Sequence, residues 1–370
     1  MGEPDPRDKP IILLGGGHAH VEVIRQLGLL DDLGREIILI SPSRHAPYSG
    51  MLPGYVSGQY RFEDFHIDLV ALCARYGVTF LATTARGIDP ERRQVSLSDG
   101  RVLDYSLMSV DIGSTPSLPP GVSGGISVKP IASFTQRLVQ LDALVADKTG
   151  PLRLAIVGQG VAGVEMAFAL QRRLGRSRVE ILLAGRAGDV VAERSRLARR
   201  MVERELERAG IAHHPDFDVT GFRAGELVAR DGRRLPVDDV VWTTSSGAPS
   251  WLGETGLALD ASGFIRVDPA LRSLSHPDVF AAGDVASLPD PRPKAGVFAV
   301  RQGPVLADNI RRSLGGEELQ AFRPQRRWLA LISLADGRAI ADKWDLAASG
   351  RWVAVWKHWN DTRFLRRYAG

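Results

Sequence analysis

The chain has a single cysteine, Cys73, among its 370 residues. One thiol cannot close an internal disulfide, form a CxxC redox pair or build a cysteine-rich metal site. Cys73 therefore reads as a small apolar core residue. No uninterrupted apolar run reaches about 18 residues, so no helix is expected to cross a membrane. The opening MGEPDPRDKP is too charged for a secretory signal, and the cytoplasm is the expected compartment. Net charge is small as well, +4 overall, and without a recognition motif beside it no nucleic-acid partner is expected. What excess exists is local. Residues 321–370 hold ten Lys or Arg against four Asp, whereas the other 320 residues hold 37 basic against 39 acidic side chains. That basic end is interleaved with Trp328, Trp344, Trp352, Trp356, Trp359, Phe364 and Tyr368. Two readings fit it: a packed hairpin with a solvated basic rim, or a peripheral contact with an anionic membrane surface, on its inner, cytoplasmic face.

Glycine, by contrast, is plentiful and placed. From Pro151 to Leu174 an apolar run (Leu154 to Val157) meets Gly158-x-Gly160-x-x-Gly163, and a helical pattern led by Val164, Glu165 and Met166 follows. In a strand-turn-helix of this kind Gly158 permits the turn, Gly160 lets backbone approach a pyrophosphate, and Gly163 lets helix and strand pack closely. About 140 residues earlier PIILLGGGHAHVEVIRQL carries a second version, Gly15-x-Gly17-x-x-His20. Its third glycine is a histidine, which either loosens helix-strand packing or brings an imidazole near the phosphates. The repeat extends further. A hairpin at Asp99-Gly100 and the ending Asp111-Ile-Gly113-Ser114-Thr115-Pro116 are matched by a hairpin at Asp231-Gly232 and the ending Gly247-Ala-Pro249. The expected fold is therefore α/β, with two Rossmann-like dinucleotide units and a small α+β end. Two nucleotides facing each other is the arrangement that passes a hydride between cofactors.

Each unit has a position where a ribose-binding acid is expected, about 20 residues past the glycines. Ser41 occupies it in the first, 21 residues after His20, and Ala184 in the second, 21 residues after Gly163, with Arg186 two residues on. The second unit thus lacks a carboxylate for a free 2'-hydroxyl and offers a cation, which keeps NADPH open beside NADH. The Pro/Gly-rich loop from His45 runs off a strand end and would set Pro47, Tyr48 and Ser49 beside the reactive ring of the first nucleotide. Past Gly315 we expect strands on either side of Asp336-Gly337 and of Ser349-Gly350, and a final short helix begun by Asn360 or Asp361.

The run LRSLSHPDVFAAGDVASL carries Ala282-Gly283-Asp284, which, with the two glycine motifs, resembles the second flavin signature of the two-dinucleotide FAD/NAD(P)H flavoprotein reductases. The resemblance spans about Lys9 to Tyr368. Within that superfamily the chain is most similar to type II NADH dehydrogenase-like proteins, and HAPYSGMLPGYVSGQY and PKAGVFAVRQGPVLADNI look closest to the branch often fused ahead of selenide, water dikinase. The resemblance implies an FAD domain of residues 9–120 and 255–315, an NAD(P)H domain of 121–254 inserted in it, and a flavin-covering region of 316–370. It implies that Gly15, Gly17, Gly283, Asp284 and the Pro47/Tyr48 loop serve FAD, with His20, Ser41 and Lys129 as further flavin-side candidates. Gly158, Gly160 and Gly163, with Arg186, would serve NADH or NADPH, and Glu165 matches the family glutamate near the nicotinamide, unless it only favours its helix dipole. In the resembling dehydrogenases a paired glutamine lines the quinone side; here Gln302 matches and Arg301 replaces its neighbour. No general acid or base is assigned. The implied function is an NAD(P)H oxidoreductase whose acceptor is first a quinone. The alternatives are a soluble flavin reductase of selenium or sulfur metabolism, or a redox-sensing flavoprotein. The sequence leaves the oligomeric state open, a homodimer included.

Overall fold

The computed structural model describes residues 9–30, 34–122, 124–244 and 246–369. The apolar run Ile11–Leu14 is a strand buried on both faces, as the middle of a parallel sheet requires. It lies between Ile37–Ile40 and Leu107–Val110, with Thr79–Leu81 and Val279–Ala281 at the two edges, all parallel. The second sheet repeats this order. Leu152–Val157 is central between Val179–Ala184 and Asp239–Trp242, and Ala212–His214 and Ile126–Ser127 form its edges, again all parallel. The α/β fold with two Rossmann-like units is the one expected.

Each unit also carries an antiparallel excursion. Ala85–Asp89, Gln94–Leu97 and Val102–Asp104 form the first, and Val219–Arg223, Glu226–Ala229 and Arg234–Pro236 the second. Gly100 and Gly232, both at φ +88°, make the turns where the sequence placed them. The chain builds its second sheet between two visits to the first, since Val279–Ala281 joins Leu107–Val110. A short antiparallel ribbon, Thr115–Pro116 with Ser246–Gly247, ties the outgoing and returning segments together.

The C-terminal region departs from expectation. Its strands are Ala330–Ser333, Ala339–Lys343 and Leu346–Gly350. The second turn is made by Trp344 and Asp345, both at positive φ (54° and 64°), not by Ser349-Gly350. Gly350 instead caps a 16-residue helix, Arg351–Arg366, which starts about ten residues before the expected Asn360 or Asp361. That helix is clasped to the first unit by its tail, where the Tyr368 hydroxyl donates to Glu22 at 2.7 Å.

Candidate functional site

Both glycine motifs are set by close approaches that admit no side chain. Gly15 stands at φ +96°, and a Cβ there would lie 2.4 Å from the Asp111 carbonyl oxygen. A Cβ on Gly163 would lie 1.7 Å from Gly158 O. Gly160 differs, because its Cβ would meet only Glu193 Oε1, at 3.8 Å. The N-terminus of the helix Val161–Leu174 is therefore left clear, as a phosphate needs. In the first unit His20 takes the place of the third glycine without loosening the packing. Its Nδ1 is 2.6 Å from Gly15 O and its Nε2 2.8 Å from Ser109 Oγ, so the ring props the turn from below, and neither nitrogen faces a ligand. Burial holds its pKa down to about 4, and it is neutral.

Across the crevice, the Gly283 N–H donates to Gln302 Oε1 at 2.6 Å. Gln302 therefore buttresses the Ala282-Gly283-Asp284 loop through its amide oxygen. Asp284 Oδ2 receives Lys129 Nζ at 2.6 Å and Ser114 Oγ at 3.1 Å, and Lys129 also reaches Ser114. Lys129 and Asp284, 155 residues apart, thus meet at the seam between the two sheets. A cleft of about 260 Å³ opens here, lined in part by Asp284, Lys294, Phe298 and Gln302. Nearby, the His18 Nε2 is buried without a partner among the described residues. Ser41, the expected ribose contact, is buried and turned into its own loop, donating to Ser43 O at 2.9 Å. Arg186 and Arg301 are exposed.

A third group assembles where the second motif helix, the Pro47–Tyr48 loop and the C-terminal helix converge. Glu165 Oε1 accepts the Ser333 N–H at 2.8 Å. Lys357 Nζ donates to Gly50 O at 2.8 Å and to Asp361 Oδ2 at 3.0 Å. Tyr48 packs between Phe364, at 4.6 Å, and His18, at 5.6 Å between ring centroids. Desolvation raises Glu165 to about 7, against the opposing field of Lys357. The carboxylates in turn hold Lys357 in its charged form in spite of its burial. Glu165 is the fifth residue of the helix Val161–Leu174, past its first turn, so the helix dipole does not account for it.

A family model described as pyridine nucleotide-disulphide oxidoreductase matches residues 9–303. The chain belongs to that family. FAD and NAD(P)H are its cofactors, and it is an FAD-dependent pyridine nucleotide oxidoreductase. With one thiol, buried Cys73, this chain cannot form an internal redox disulfide. Among curated proteins it is similar to demethylphylloquinone reductase NdbB of Synechocystis sp., with 26% identity over 92% of this chain and 88% of that protein. It is also similar to the NADH dehydrogenase-like protein YutJ of Bacillus subtilis, with 24% identity over 86% and 87%. Two solved structures share its fold at TM-score 0.82. They are the sulfide:quinone oxidoreductase of Aquifex aeolicus (18% identity, covering 97% and 91%) and NDH2 of Plasmodium falciparum in complex with NADH (12% identity, 98% and 97%). The local geometry fits the two cofactors, with an open helix end at Gly160 and, within the fields of Lys129 and Asp284, a buried His18 Nε2 that has no hydrogen-bond partner among the described residues.

From the sequence Lys357 and Asp111 carried no role, and Asp361 stood only as a helix start. A lysine in a basic helix reads as solvated. Asp111 was visible only as part of the ending that matches the second unit.

Proposed function

We propose that this chain oxidises NAD(P)H and delivers the electrons to a quinone. The observation that carries the reading is the buried charged group of Glu165, Lys357 and Asp361, lying under a helix whose opposite face is apolar and exposed. When bound, FAD supplies the two-electron redox chemistry between hydride donor and acceptor, and the protein supplies position and electrostatics. Gly158, Gly160 and Gly163 shape the turn that receives the NAD(P)H pyrophosphate, and Arg186 stands exposed near the expected ribose position, admitting either coenzyme. Gly15, Gly17, Gly283 and the Asp284/Lys129 pair hold the FAD side, with Pro47 and Tyr48 walling it. Making a quinol consumes protons as well as electrons. Glu165, held near 7, takes up and releases one at physiological pH, while Lys357 keeps the pocket from becoming net acidic.

Access suits a lipid-soluble acceptor. Trp352, Val355, Trp356 and Trp359 recur at helical spacing on the outer face of Arg351–Arg366, between 36% and 68% exposed. Trp344 and Leu346 extend the patch in the preceding turn. No described helix is long and apolar enough to cross a membrane, so contact would be peripheral. The name of the Synechocystis relative, a quinone reductase, agrees with this reading. A second reading, a reductase of a charged small molecule in selenium or sulfur metabolism, is favoured by exposed Arg301 beside an inward-tied Gln302.

Anaerobic mixing of FAD-loaded protein with NADH or NADPH, then with a short-chain quinone, separates them. Rapid flavin bleaching followed by quinone-driven recovery is the expected result, and the two bleaching rates rank the coenzymes. Bleaching without recovery would replace the quinone with another acceptor, and no bleaching would remove the reductase reading altogether.

A further inference from the structure

The two dinucleotide units supply an internal control for each position of the phosphate-binding turn. Asp111 and Thr243 are equivalent, since each donates its backbone N–H to the last residue of its motif strand, Asp111 to Leu14 O at 2.8 Å and Thr243 to Val157 O at 2.9 Å. Their side chains act differently. Thr243 Oγ1 hydrogen-bonds the carbonyls of Val157 and Gly158, at 3.0 and 3.1 Å, and leaves the helix end alone. Asp111 Oδ2 accepts the N–H groups of Ala19 (2.8 Å) and His20 (3.2 Å), the second and third residues of the helix His18–Leu27. Oδ1 receives no hydrogen bond among the described residues. It stands 2.3 Å from where a Cβ on Gly283 would be, and the carboxyl carbon 2.2 Å from a Cβ on Gly17. A carboxyl group only 2% exposed thus fills the gap between the first glycine motif and the Ala282-Gly283-Asp284 loop, at the helix end where a dinucleotide's pyrophosphate is held.

We propose that Asp111 is an FAD-binding residue that meets the pyrophosphate as a neutral carboxylic acid, its Oδ2 still capping the helix and its Oδ1–H donating to a phosphate oxygen, so that FAD binding to the ionised form carries one proton in from solvent. An ionised Asp111 would set a buried negative charge against the phosphates with no cation bonded to it. The groups around it do not change this. His18 and His20, on the helix it caps, are both held down to about 4 by burial and are neutral. Ser109 beneath is uncharged. Asp284 on the facing loop is a second acid, its charge already answered by Lys129, and Lys294 lies beyond it. Burial raises Asp111 to about 7 before any phosphate arrives, and the anion pushes it higher. FAD affinity is then level below about pH 7 and weakens above it, by up to about tenfold per pH unit while only the bound form keeps the proton.

The test is titration of flavin-stripped protein with FAD, followed by flavin fluorescence between about pH 6 and 9, with calorimetry near pH 8 in two buffers of different ionisation enthalpy. The expected result is a Kd that rises at least about tenfold across the upper half of the range, with uptake approaching one proton. Asp111→Asn, whose amide keeps one acceptor and presents one donor, should bind FAD with a Kd flat over the same range. A flat wild-type Kd without proton uptake would overturn the proposal, as would an Asp111→Asn variant with the wild-type slope. Should that variant fail to fold, the wild-type titration and calorimetry decide alone. Absence of FAD binding at every pH would overturn the proposal together with the cofactor assignment, an outcome distinct from a flat Kd and independent of which acceptor is used.

Discussion

At Gly163 the distance between an added methyl and the Gly158 oxygen, 1.7 Å, leaves the backbone no room to adjust. Gly163→Ala should destabilise the fold by about 1–3 kcal/mol in denaturant titration and also weaken coenzyme binding. Gly160→Ala is the control, because its methyl meets nothing closer than 3.8 Å; it should fold normally and lose coenzyme affinity alone. Equal destabilisation by the two would contradict the assignment. Glu165 yields a pH prediction. Its native pKa, about 7, lies above its ordinary 4.5, so the native state keeps a proton that the unfolded chain has released. The difference is absent below about 4.5, grows into a penalty as pH rises to about 7, and stays level beyond. Glu165→Gln removes it, so the variant should gain on wild type between about pH 5 and pH 8, by roughly 1–3 kcal/mol in urea titration. The turn at Gly158 and its close approach to Gly163 were legible in the sequence because both lie within six positions of one motif. Asp111 was not, since its role depends on N–H groups 91 and 92 residues away.

The helix Arg351–Arg366 works as two faces. Val353, Lys357, Asp361 and Phe364 turn inward to the charged group and to Tyr48, while the tryptophans turn out. Replacing Trp352, Trp356 and Trp359 together by Ser should lower binding to anionic lipid vesicles by at least about tenfold, since each buried aromatic is worth well over a kcal/mol. Turnover with a water-soluble short-chain quinone should stay near wild type; loss of that turnover, with vesicle binding intact, would sink the docking role. The basic and aromatic composition of this end was legible, but its partition was not. Trp328 packs on Phe298 with Arg194 over its ring, and Phe364 and Tyr368 face inward, so three of the seven aromatics serve the interior. The helix start was missed because Ser349-Gly350 has turn composition, yet the positive φ falls on Trp344 and Asp345, residues that seldom announce a turn.

At the scale of the whole molecule, one apolar cluster joins all three parts. It includes Leu52, Val56 and Phe65 from the first unit, Leu154, Ile156 and Val164 from the second, and Ile332 and Ile340 from the C-terminal sheet. Arg173 adds a polar tie, bonding Asp142 at 2.6 Å and reaching Val56 O. Parts that share a core cannot melt separately, and calorimetry should show a single transition; two resolved peaks would mean the units unfold independently. That the fold is duplicated was legible in the sequence because both copies keep the first two glycines of the motif, a hairpin and a similar ending. The shared cluster was not, because periodicity shows which face is apolar and not what covers it.

Cys73 lies buried in the first unit, and burial pushes its thiol up to about 12. The described surface therefore offers no sulfur nucleophile. Maleimides and iodoacetamide, which silence enzymes that work through an exposed thiolate, find no thiol to modify on the described surface. A cysteine introduced at any outward position becomes the sole attachment point for a fluorophore or spin label, and the distance from either dinucleotide unit to a lipid surface can then be read without first removing a native residue.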